Sequence, residues 1–433
     1  MTKQNEKDAK RVPELRFKGF TDDWEQRKLG EIFLFKRNNT FSRSELSFEN
    51  GYVKNIHYGD ILVKYNEYLN VHNNSNIPFI IHNIPSSFSS SYLQDGDIIM
   101  ADTAEDETVG KSTEISNLSS NDRILAGLHT IPLSPKQKFG SGFLGFYLNS
   151  NSYHDKLRPL MQGIKVTSIS KKNLKNTILQ FPKEFEEQKR IGKLFIKLNR
   201  TITLHEEKQR QLEQLKKALL QKMFADETGY PVLRFKGFTE KWEQRKLGEI
   251  GETFSGLSGK NKNDFGHGDA NFITYMNVFS NSIADLRGTE HVEIDSKQNQ
   301  VIYGDILFTT SSETPEEVGM SSIWLGHTKN TYLNSFCFGY RILEKQNFDS
   351  YYMAYLLRTE NFRKRMTVLA QGISRYNISK KQVMNTFVNF PTMEEQRRIG
   401  KTLFLIDKTI TLHDKKIQYL KQLKRGLLQK MFV

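Results

Sequence analysis

Apolar residues recur at a spacing of about seven in two long stretches of the chain, with charged residues between them. This spacing is typical of helices that pack along one seam against a partner helix. In the first stretch the predicted seam residues are Ile191, Leu194, Phe195, Leu198, Ile202, His205, Leu212, Leu215, Leu219 and Met223. In the second they are Ile399, Leu403, Ile406, Ile410, His413, Ile417, Leu420, Leu423, Leu427 and Met431.

Both stretches carry signals of a helix start. Glutamates occupy the first turn of each, where the helix dipole favours anions, and Thr392 with Glu395 forms a capping-box pattern. We therefore predict long helices over residues 184–225 and 392–433. Each seam needs a partner, which is either the other copy packed antiparallel within the chain or a helix of another chain. His205 and His413 interrupt the two seams at equivalent positions and are interpreted as residues that fix the register.

The regions before these helices show shorter apolar runs. Runs that follow a Gly-Asp turn predict strands at 97–100 and 305–308, and a third at Gly59–Leu62. Strands ending in Phe-Pro, at Phe181-Pro182 and Phe390-Pro391, are predicted to close each region. A short helix is predicted after Ser379, because Gln382 completes a capping-box pattern with it.

The chain repeats this whole order. Residues 15–32 and 233–250 read LRFKGFTDDWEQRKLGEI and LRFKGFTEKWEQRKLGEI, while the segments that follow have diverged. The predicted fold class is mixed α/β, with two globular domains separated by two long antiparallel coiled-coil helices and related by an internal pseudo-two-fold duplication. The predicted segments are a polar tail (1–12), a first domain (13–183), a helix (184–225), a linker (226–230), a second domain (231–391) and a final helix (392–433).

Composition narrows the classes of partner. The net charge is +14 with a pI near 9.4, which favours a polyanion such as nucleic acid, although basic helix faces can also be simply solvated. Cys337 is the single cysteine, so neither a disulfide framework nor a thiolate zinc site is expected. The polar start is unlike a signal peptide, and no apolar run approaches the ~20 residues of a membrane span, so a cytosolic protein is expected.

Motifs of catalysis are incomplete. Val109–Thr113 resembles the end of a phosphate-binding loop, but Glu105 occupies the position that requires glycine. Glu187-Gln188-Lys189 resembles part of a nuclease motif, but it lies at a predicted helix start. The histidines show no paired metal-ligand spacing. We therefore expect a binding protein without an active site, metal or cofactor of its own.

The joint order of these features resembles the specificity subunit of a type I restriction–modification system, over about residues 13–432. The matching features are the duplicated Trp-Glu-x-x-Lys-Leu-Gly-Glu opening, the Gly-Asp-Ile strands, the Ser-Lys-Lys segment with its Phe-Pro strand, and the Thr-Ile-Thr-Leu-His helix that ends in Leu-Leu-Gln-Lys-Met-Phe.

The resemblance implies that the two diverged regions are target recognition domains, each reading half of a two-part site in double-stranded DNA. It implies that the helices set the gap between half-sites and dock two modification (adenine methyltransferase) subunits, which restriction (translocase and nuclease) subunits join. S-adenosylmethionine, ATP and Mg are then expected on the partners. Alternatives are a self-sufficient nuclease or methyltransferase, which the missing motifs oppose, and a stand-alone DNA-binding protein.

Candidate DNA-binding residues combine Arg and Asn, which read base edges, with side chains that bind phosphate. For any one of them, an ordinary polar loop residue is the main alternative. In the first domain they are Arg37, Asn38, Asn39, Thr40, Ser42, Arg43, Lys64, Tyr65, Asn66, Lys165, Ser168, Lys171 and Lys172. In the second they are Ser255, Lys260, Asn261, Lys262, Asn277, Thr309, Thr310, Ser311, Arg375, Tyr376, Lys380 and Lys381.

The candidate partner-binding residues lie in segments that the two halves share, because two copies of one partner require two similar surfaces. A core position is the alternative for the two tryptophans. The candidates are Trp24, Lys28, Glu207, Lys208, Trp242, Lys246, Lys415 and Lys416.

Overall fold

The computed structural model describes residues 12–72 and 76–433, which form two compact units. The first unit runs up to Glu206 and adds Lys415–Val433, and the second is Glu207–Asp414. Each unit therefore contains one part of each long helix. Residues 1–11 of the predicted polar tail lie outside the described residues.

The first unit contains mixed sheets and short helices. Its strands are β1 (Glu25–Lys28), β2 (Phe33–Phe35), β3 (Leu46–Ser47), β4 (Lys54–Ile56), β5 (Tyr68–Asn70), β6 (Phe79–Ile80), β7 (Ile98–Ala101), β8 (Thr103–Ala104), β9 (Ser112–Ser116), β10 (Ile124–Ala126), β11 (Thr130–Pro135), β12 (Thr167–Ser168) and β13 (Ile178–Phe181). Its helices are α1 (Leu29–Ile32), α2 (Tyr58–Val63), α3 (Phe143–Leu148), α4 (Asn151–Leu157), α5 (Lys171–Lys175) and the first part of α6 (Phe185–Lys222).

The second unit repeats this order. Its helices are α7 (Leu247–Ile250), α8 (Tyr275–Ser280), α9 (Ser350–Leu356), α10 (Glu360–Leu369), α11 (Lys380–Met384) and the first part of α12 (Met393–Met431). Its strands are β14 (Glu243–Lys246), β15 (Gly251–Ser255), β16 (Phe265–Ile273), β17 (Thr289–Val292), β18 (Ile306–Thr309), β19 (Ser311–Ser312), β20 (Ser321–Ile323), β21 (Thr331–Leu333), β22 (Cys337–Ile342), β23 (Tyr376–Asn377) and β24 (Phe387–Phe390).

The sheets of the two units correspond strand by strand near the centre. The order β2-β11-β7-β9 in the first unit matches β15-β22-β18-β20 in the second. A parallel pair, β4 with β10, matches β16 with β21. The strands predicted at 97–100 and 305–308 are found at 98–101 and 306–309, inside these sheets, so those predictions are confirmed to within one residue. The predicted mixed α/β fold with an internal duplication is also confirmed.

The repeated opening segment pairs with the closing strand of the same half. Strand β1 lies antiparallel to β13, with Glu25 opposite Phe181, and β14 lies antiparallel to β24, with Glu243 opposite Phe390. These pairings bring the two ends of each diverged region together. The region between them can therefore vary in sequence while its base keeps the same structure.

The two long helices run antiparallel inside each unit. In the first unit, Glu206 of α6 pairs with Lys421 of α12 at 2.7 Å, while Phe195 stacks on Phe432 with ring centroids 5.6 Å apart. Residues later in α6 therefore contact residues earlier in α12, as expected of antiparallel helices. The partner of each seam is the other copy within the same chain, as the first of the two alternatives predicted.

The end of each long helix enters the core of the opposite half's domain. Met431 and Phe432 are buried in the first unit, where Phe432 packs edge-on against Trp24. Met223 and Phe224 are buried in the second unit, in the core that contains Trp242. The repeated ending Leu-Leu-Gln-Lys-Met-Phe therefore supplies apolar side chains to the domain of the other half. The first copy packs into the domain that directly follows it, and the second copy packs into the domain near the start of the chain.

A buried ion pair joins each opening segment to the start of a long helix. Arg16 Nε and Nη2 donate to Glu187 at 2.6 and 2.8 Å, and Arg234 donates to Glu395 at 2.7 and 2.8 Å. Both glutamate side chains are fully buried. The hydrogen bond that Arg16 donates to Glu187 raises the pKa of Arg16, and such bidentate pairs fix geometry as well as charge.

Equivalent lysines of the two long helices form a second ion pair in each unit. Lys424 of α12 donates to Glu67 in the first domain at 2.6 Å, and Asn199 of α6 donates to the same carboxylate at 2.9 Å. In the second unit Lys216 of α6 pairs instead with Asp407, which lies on α12. The acid therefore belongs to the domain in one unit and to the helix in the other.

One predicted strand is wrong. Residues Gly59–Leu62 lie in helix α2, not in a strand. The side chain of His57 accepts a hydrogen bond from Gly59 N and caps this helix, and Asp60 sits in its first turn. These local polar contacts satisfy helical backbone groups that a strand would have to pair elsewhere.

Two seam residues and one cap also differ from prediction. Leu215 and Leu423 are 46% and 37% exposed, because Lys216 and Lys424 occupy the seam beside them and reach their acid partners. Helix α11 begins after Ser379 as predicted, but the Ser379 side chain makes no capping bond. The equivalent Ser170 does cap α5, by accepting a hydrogen bond from Asn173 N at 3.2 Å.

We predict that Arg16→Ala destabilises the first unit by about 3 kcal/mol, because Glu187 is left as an unpaired buried charge. Hydrogen exchange of peptides from β1, β13 and the start of α6 measures this loss. The matched control is Arg27→Ala in the same segment, whose partners Glu25 and Glu31 are exposed, so its cost stays below about 1 kcal/mol. Equal exchange in the two variants would contradict the prediction.

We predict a pH-dependent contribution from Glu67. Burial alone raises its pKa, but the charge of Lys424 and hydrogen bonds from Lys424 and Asn199 together hold the pKa below its ordinary value. A carboxyl with a lowered folded-state pKa stabilises the protein above its unfolded-state pKa, and the contribution disappears as pH falls through the folded-state pKa.

Glu67→Gln is therefore expected to lower the unfolding free energy by about 2 kcal/mol at pH 7 and to flatten the acid dependence of the first unit. Denaturant unfolding at pH 7 and at successively lower pH measures both effects. Glu31→Gln, at an exposed pair, is the control. An unchanged acid profile in Glu67→Gln would show that this carboxylate contributes nothing.

Candidate nucleic-acid interface

In each half, the lysine that begins α5 or α11 contacts the stretch that follows the repeated opening segment (residues 15–32 or 233–250). In the first unit Lys171 Nζ lies 3.4 Å from Asn38 Oδ1, and in the second Lys380 Nζ donates to Ser255 Oγ at 2.8 Å. The lysines are equivalent, and each pair is separated by more than a hundred residues in sequence. The structure thus brings together candidates predicted from opposite ends of each domain.

The first unit also carries a cationic cluster around Asp60 of α2. Arg43 and Lys64 both pair with the buried carboxylate of Asp60, with Lys64 at 2.9 Å. Both cations also lie within 6 Å of the ring centroid of Phe48, which is exposed. Two positive charges share one negative charge here, so the cluster keeps a net positive charge at the surface.

Cations in the second unit are arranged differently. Arg375 lies over the exposed ring of Phe336, with the guanidinium carbon 5.4 Å from the centroid. Lys260 instead pairs with Asp295 at 3.0 Å, and its hydrogen bond holds the pKa of that carboxyl at about 2. The charge of Lys260 is therefore already matched within the protein.

Several predicted DNA-binding residues are corrected by their burial. Their polar atoms already bond inside the protein: Asn39 donates to Asn55 Oδ1 at 2.7 Å, Tyr65 to Asn76 O at 3.2 Å, and Asn277 to Asp285 O at 2.8 Å. Because these side chains are enclosed, their burial counts against the predicted contact with DNA. The corrected residues are Asn39, Tyr65, Asn277, Thr309 and Ser311, each at most 5% exposed.

The remaining candidates reach the surface. Arg37 is exposed and lies over the ring of Phe88, and Ser42 is half-buried and bonds Glu45. Thr310 and Tyr376 are half-buried. The fully exposed group is Thr40, Asn66, Lys165, Ser168, Lys172, Asn261, Lys262 and Lys381.

Side chains that the sequence patterns did not single out complete the first unit's surface. His129 packs against the ring of Tyr58 at 5.3 Å and lies 3.4 Å from Thr103 Oγ1. Its backbone φ is +53°, a left-handed conformation that non-glycine residues seldom adopt and that is enriched at functional sites. No sequence spacing predicts a role for His129, because its contacts are with Thr103 of β8 and Tyr58 of α2, which are distant from it in sequence.

The second unit has an aromatic cleft in the corresponding place. Tyr275 begins α8 as Tyr58 begins α2, stacks on Phe279 with centroids 5.9 Å apart, and donates to Ser311 O at 2.7 Å. With Met276 and Arg375 these rings line a cleft of about 480 Å³. Burial raises the pKa of Tyr275, so its hydroxyl remains a neutral donor.

The predicted partner-binding residues divide into buried and exposed sets. Trp24 and Trp242 are 2% and 3% exposed core residues, so their predicted contact with a partner is corrected. Lys246 is half-buried and lies over the ring of Phe387. The exposed candidates are Lys28, Glu207, Lys208, Lys415 and Lys416.

Two residues of the rejected catalytic motifs have structural partners. Glu187 is held by Arg16, and Lys111 donates to Leu62 O at 2.7 Å. Among residues 12–72 and 76–433, no cluster of His, Cys, Asp or Glu has the arrangement of a metal site. Within the same residues, no helix combines the length and apolarity that crossing a bilayer requires.

Comparison with known proteins agrees with the duplicated architecture. Residues 21–214 and 239–422 each match the family described as the type I restriction modification DNA specificity domain. The chain belongs to this family. The predicted membership is confirmed, and both copies of the family domain run from the opening segment into a long helix.

Relatives of known sequence and structure show the same family. A putative type I restriction enzyme MjaX specificity subunit from Methanocaldococcus jannaschii is 31% identical over 205 residues, covering 45% of this chain and 46% of the relative. The MjaVIII specificity subunit of the same organism is 22% identical over 298 residues, covering 63% of this chain and 65% of the relative. The matches thus span about half to two thirds of these relatives.

A solved structure matches over nearly the whole fold. The S subunit of a type I restriction-modification system from M. genitalium aligns with a TM-score of 0.61 at 15% identity, covering 98% of this chain and 99% of that one. At this identity the likeness concerns the fold. Two domains with paired long helices are therefore an arrangement that the family can adopt with very different sequences.

Proposed function

We propose that this chain is the DNA-specificity subunit of a type I restriction–modification complex, and that each unit reads one half of an asymmetric two-part site. The proposal rests on one observation: the two units share a repeated framework of opening segment, closing strand and long helix, but they present different side chains at their surfaces. Equivalent lysines, Lys171 and Lys380, stand beside Asn38 in one unit and Ser255 in the other. A common phosphate-binding position next to different side chains suits two domains that read different sequences.

The proposed contacts fall into two classes. Five side chains are proposed to approach bases. They are the exposed Arg37 and Arg43 and the half-buried Asn38 in the first unit, and the exposed Ser255 and Arg375 in the second. Lysines along α5 and α11 are proposed to bind phosphates. Half-sites read from one face of DNA lie about one helical turn apart, and the paired helices are proposed to set that distance.

The long helices offer a repeated surface for two copies of one partner. Leu204 of α6 and the equivalent Leu412 of α12 are 55% and 58% exposed, although both are large and apolar. A lysine follows each by one turn, Lys208 and Lys416, and both lysines are exposed. We propose that these positions dock two modification subunits, which bring S-adenosylmethionine, and that restriction subunits bring ATP and Mg.

The proposal is tested by expressing the chain with a modification subunit of the same source in a host that lacks adenine methylation. Sequencing the host DNA for N6-methyladenine is expected to show one asymmetric motif in two parts. The distance between the parts reports the spacer. Complex formation without any methylated motif would count against sequence reading, and absence of the complex would favour a stand-alone DNA-binding protein.

We predict that the double variant Lys171→Ala, Lys172→Ala weakens DNA binding equally for matched and mismatched sequences. Each lost phosphate contact reduces the slope of log affinity against log salt by about 0.9, so the slope falls by about 2. A salt titration of complex binding measures it. Lys28→Ala, an exposed lysine of the opening segment, is the control. A change in motif preference instead would assign these lysines to base reading.

We predict that Leu204→Glu and Leu412→Glu each remove one modification subunit from the complex. A charged side chain at an apolar contact leaves an unpaired charge in the interface, while an exposed position tolerates it in the free chain. Mass measurement by light scattering distinguishes complexes with two, one and no partners. The control is Leu34→Glu, which changes an exposed leucine of β2. Full assembly in both helix variants would exclude this surface.

A further inference from the structure

Each unit carries a short loop with a completely exposed isoleucine at its tip. Ile164 and Ile373 are 101% and 97% exposed. Gln162 and Ser168 close the first loop with two backbone hydrogen bonds of 2.9 and 2.8 Å, and Gln371 and Asn377 close the second with bonds of the same lengths. The two isoleucines therefore occupy the same place in equivalent loops.

The loops have a defined shape. Gly163 and Gly372 have φ values of +119° and +145°, and a Cβ on either would lie about 2 Å from the carbonyl oxygen of Val166 or Arg375. Only glycine fits these turns. The glycine thus fixes the direction in which the loop carries the next residue, which is the isoleucine.

The base of each loop is anchored to its domain. Strand β12 pairs with β8, and β23 pairs with β19. The next residues, Ile169 and Ile378, are 3% and 4% exposed and so are buried in the domain. A rigid base below an exposed apolar tip is unlike a solvated loop, in which polar side chains are the rule.

A single exposed apolar side chain is ordinary on a protein surface. Ile164 and Ile373 differ from such residues because both copies of the loop keep the isoleucine although neighbouring residues have changed. Between the copies, Lys165 corresponds to Ser374, Val166 to Arg375 and Thr167 to Tyr376, while Gln, Gly and Ile are the same. The loop therefore keeps its shape and its apolar tip while its other side chains change.

Positively charged residues follow both tips in the sequence. Lys165, Lys171 and Lys172 accompany the first, and Arg375 and Lys381 accompany the second, all of them exposed. Each loop ends in a short strand, β12 or β23, whose last residue lies three residues before the lysine that contacts Asn38 or Ser255. An apolar tip within a cationic surface is complementary to a nucleic-acid groove, where phosphates flank a less polar floor.

We propose that Ile164 and Ile373 are apolar wedges that enter the minor groove of the DNA, one at each half-site, and partly unstack a base step. The proposal rests on the proposed function. Minor-groove binders commonly insert Ile, Leu, Met or Phe in this way. The minor groove distinguishes bases poorly, so the same wedge serves two domains that read different sequences. A base reader in the major groove would have to differ between the two units.

The test uses the complex of the full chain with its modification subunits, and DNA with 2-aminopurine placed in turn at each step of the two half-sites. In the wild type, fluorescence rises at one step of each half-site. Ile164→Ala is expected to abolish the rise in one half-site only and Ile373→Ala in the other, with affinity reduced about tenfold in each case. Ile164→Leu keeps the signal, because leucine can also wedge.

The matched controls are Ile81→Ala and Ile294→Ala, which remove exposed isoleucines outside the loops, one in each unit. If both loop variants bind DNA as the wild type does and keep the fluorescence rise, the wedge is overturned and the proposed function stands. Loss of subunit assembly in the loop variants would overturn it too, by assigning the loops to a protein partner. A wild-type complex that recognises no DNA motif would overturn both proposals.

Discussion

Each unit depends on a buried arginine–glutamate pair at the point where three segments meet. Arg16 belongs to the opening segment, and Glu187 begins α6 directly after the closing strand. The same glutamate turn places Gln188, which bonds Gly140 N and Pro182 O. Arg234, Glu395 and Gln396 repeat the arrangement. A charge pair without solvent is stable only when its geometry is complete, which requires all three segments to be in position.

This requirement accounts for the distribution of identity between the two halves. Residues that make the base, such as the β1–β13 pairing and the Met-Phe ending of each long helix, contact one another across the whole length of a half. A change at one of them affects several segments at once. The diverged regions also contribute to this core, where Phe143 packs against Trp24 and Phe432. Their exposed loops lie outside it, so those loops can change with little effect on the helices. The duplicated frame and the different surfaces are thus consequences of one packing arrangement.

Much of this fold could be predicted because its signals are local and repeated. The seven-residue spacing correctly identified the long helices, two of the three Gly-Asp turns identified central strands, and the Phe-Pro endings identified the strands that close each region. The wrong assignments arose where side-chain contacts, local or distant, decide the outcome. The helix at Gly59–Leu62 depends on the His57 cap and on Arg43, and Leu215 is outside the seam because Lys216 finds Asp407. Burial of Asn39 and Asn277 likewise depends on sheet packing that residue type does not reveal.

The acidic partners of the equivalent lysines Lys424 and Lys216 lie on different parts of the fold. Lys424 meets Glu67, which belongs to the first domain, whereas Lys216 meets Asp407, which belongs to the helix. If the domains exchanged places, Glu67 would face a helix that already carries an acid, and the other site would hold a lysine with none. Each domain therefore matches the charges of the helices at its own position. A recombination that exchanged the domains would also have to exchange Asn199 and Asp407.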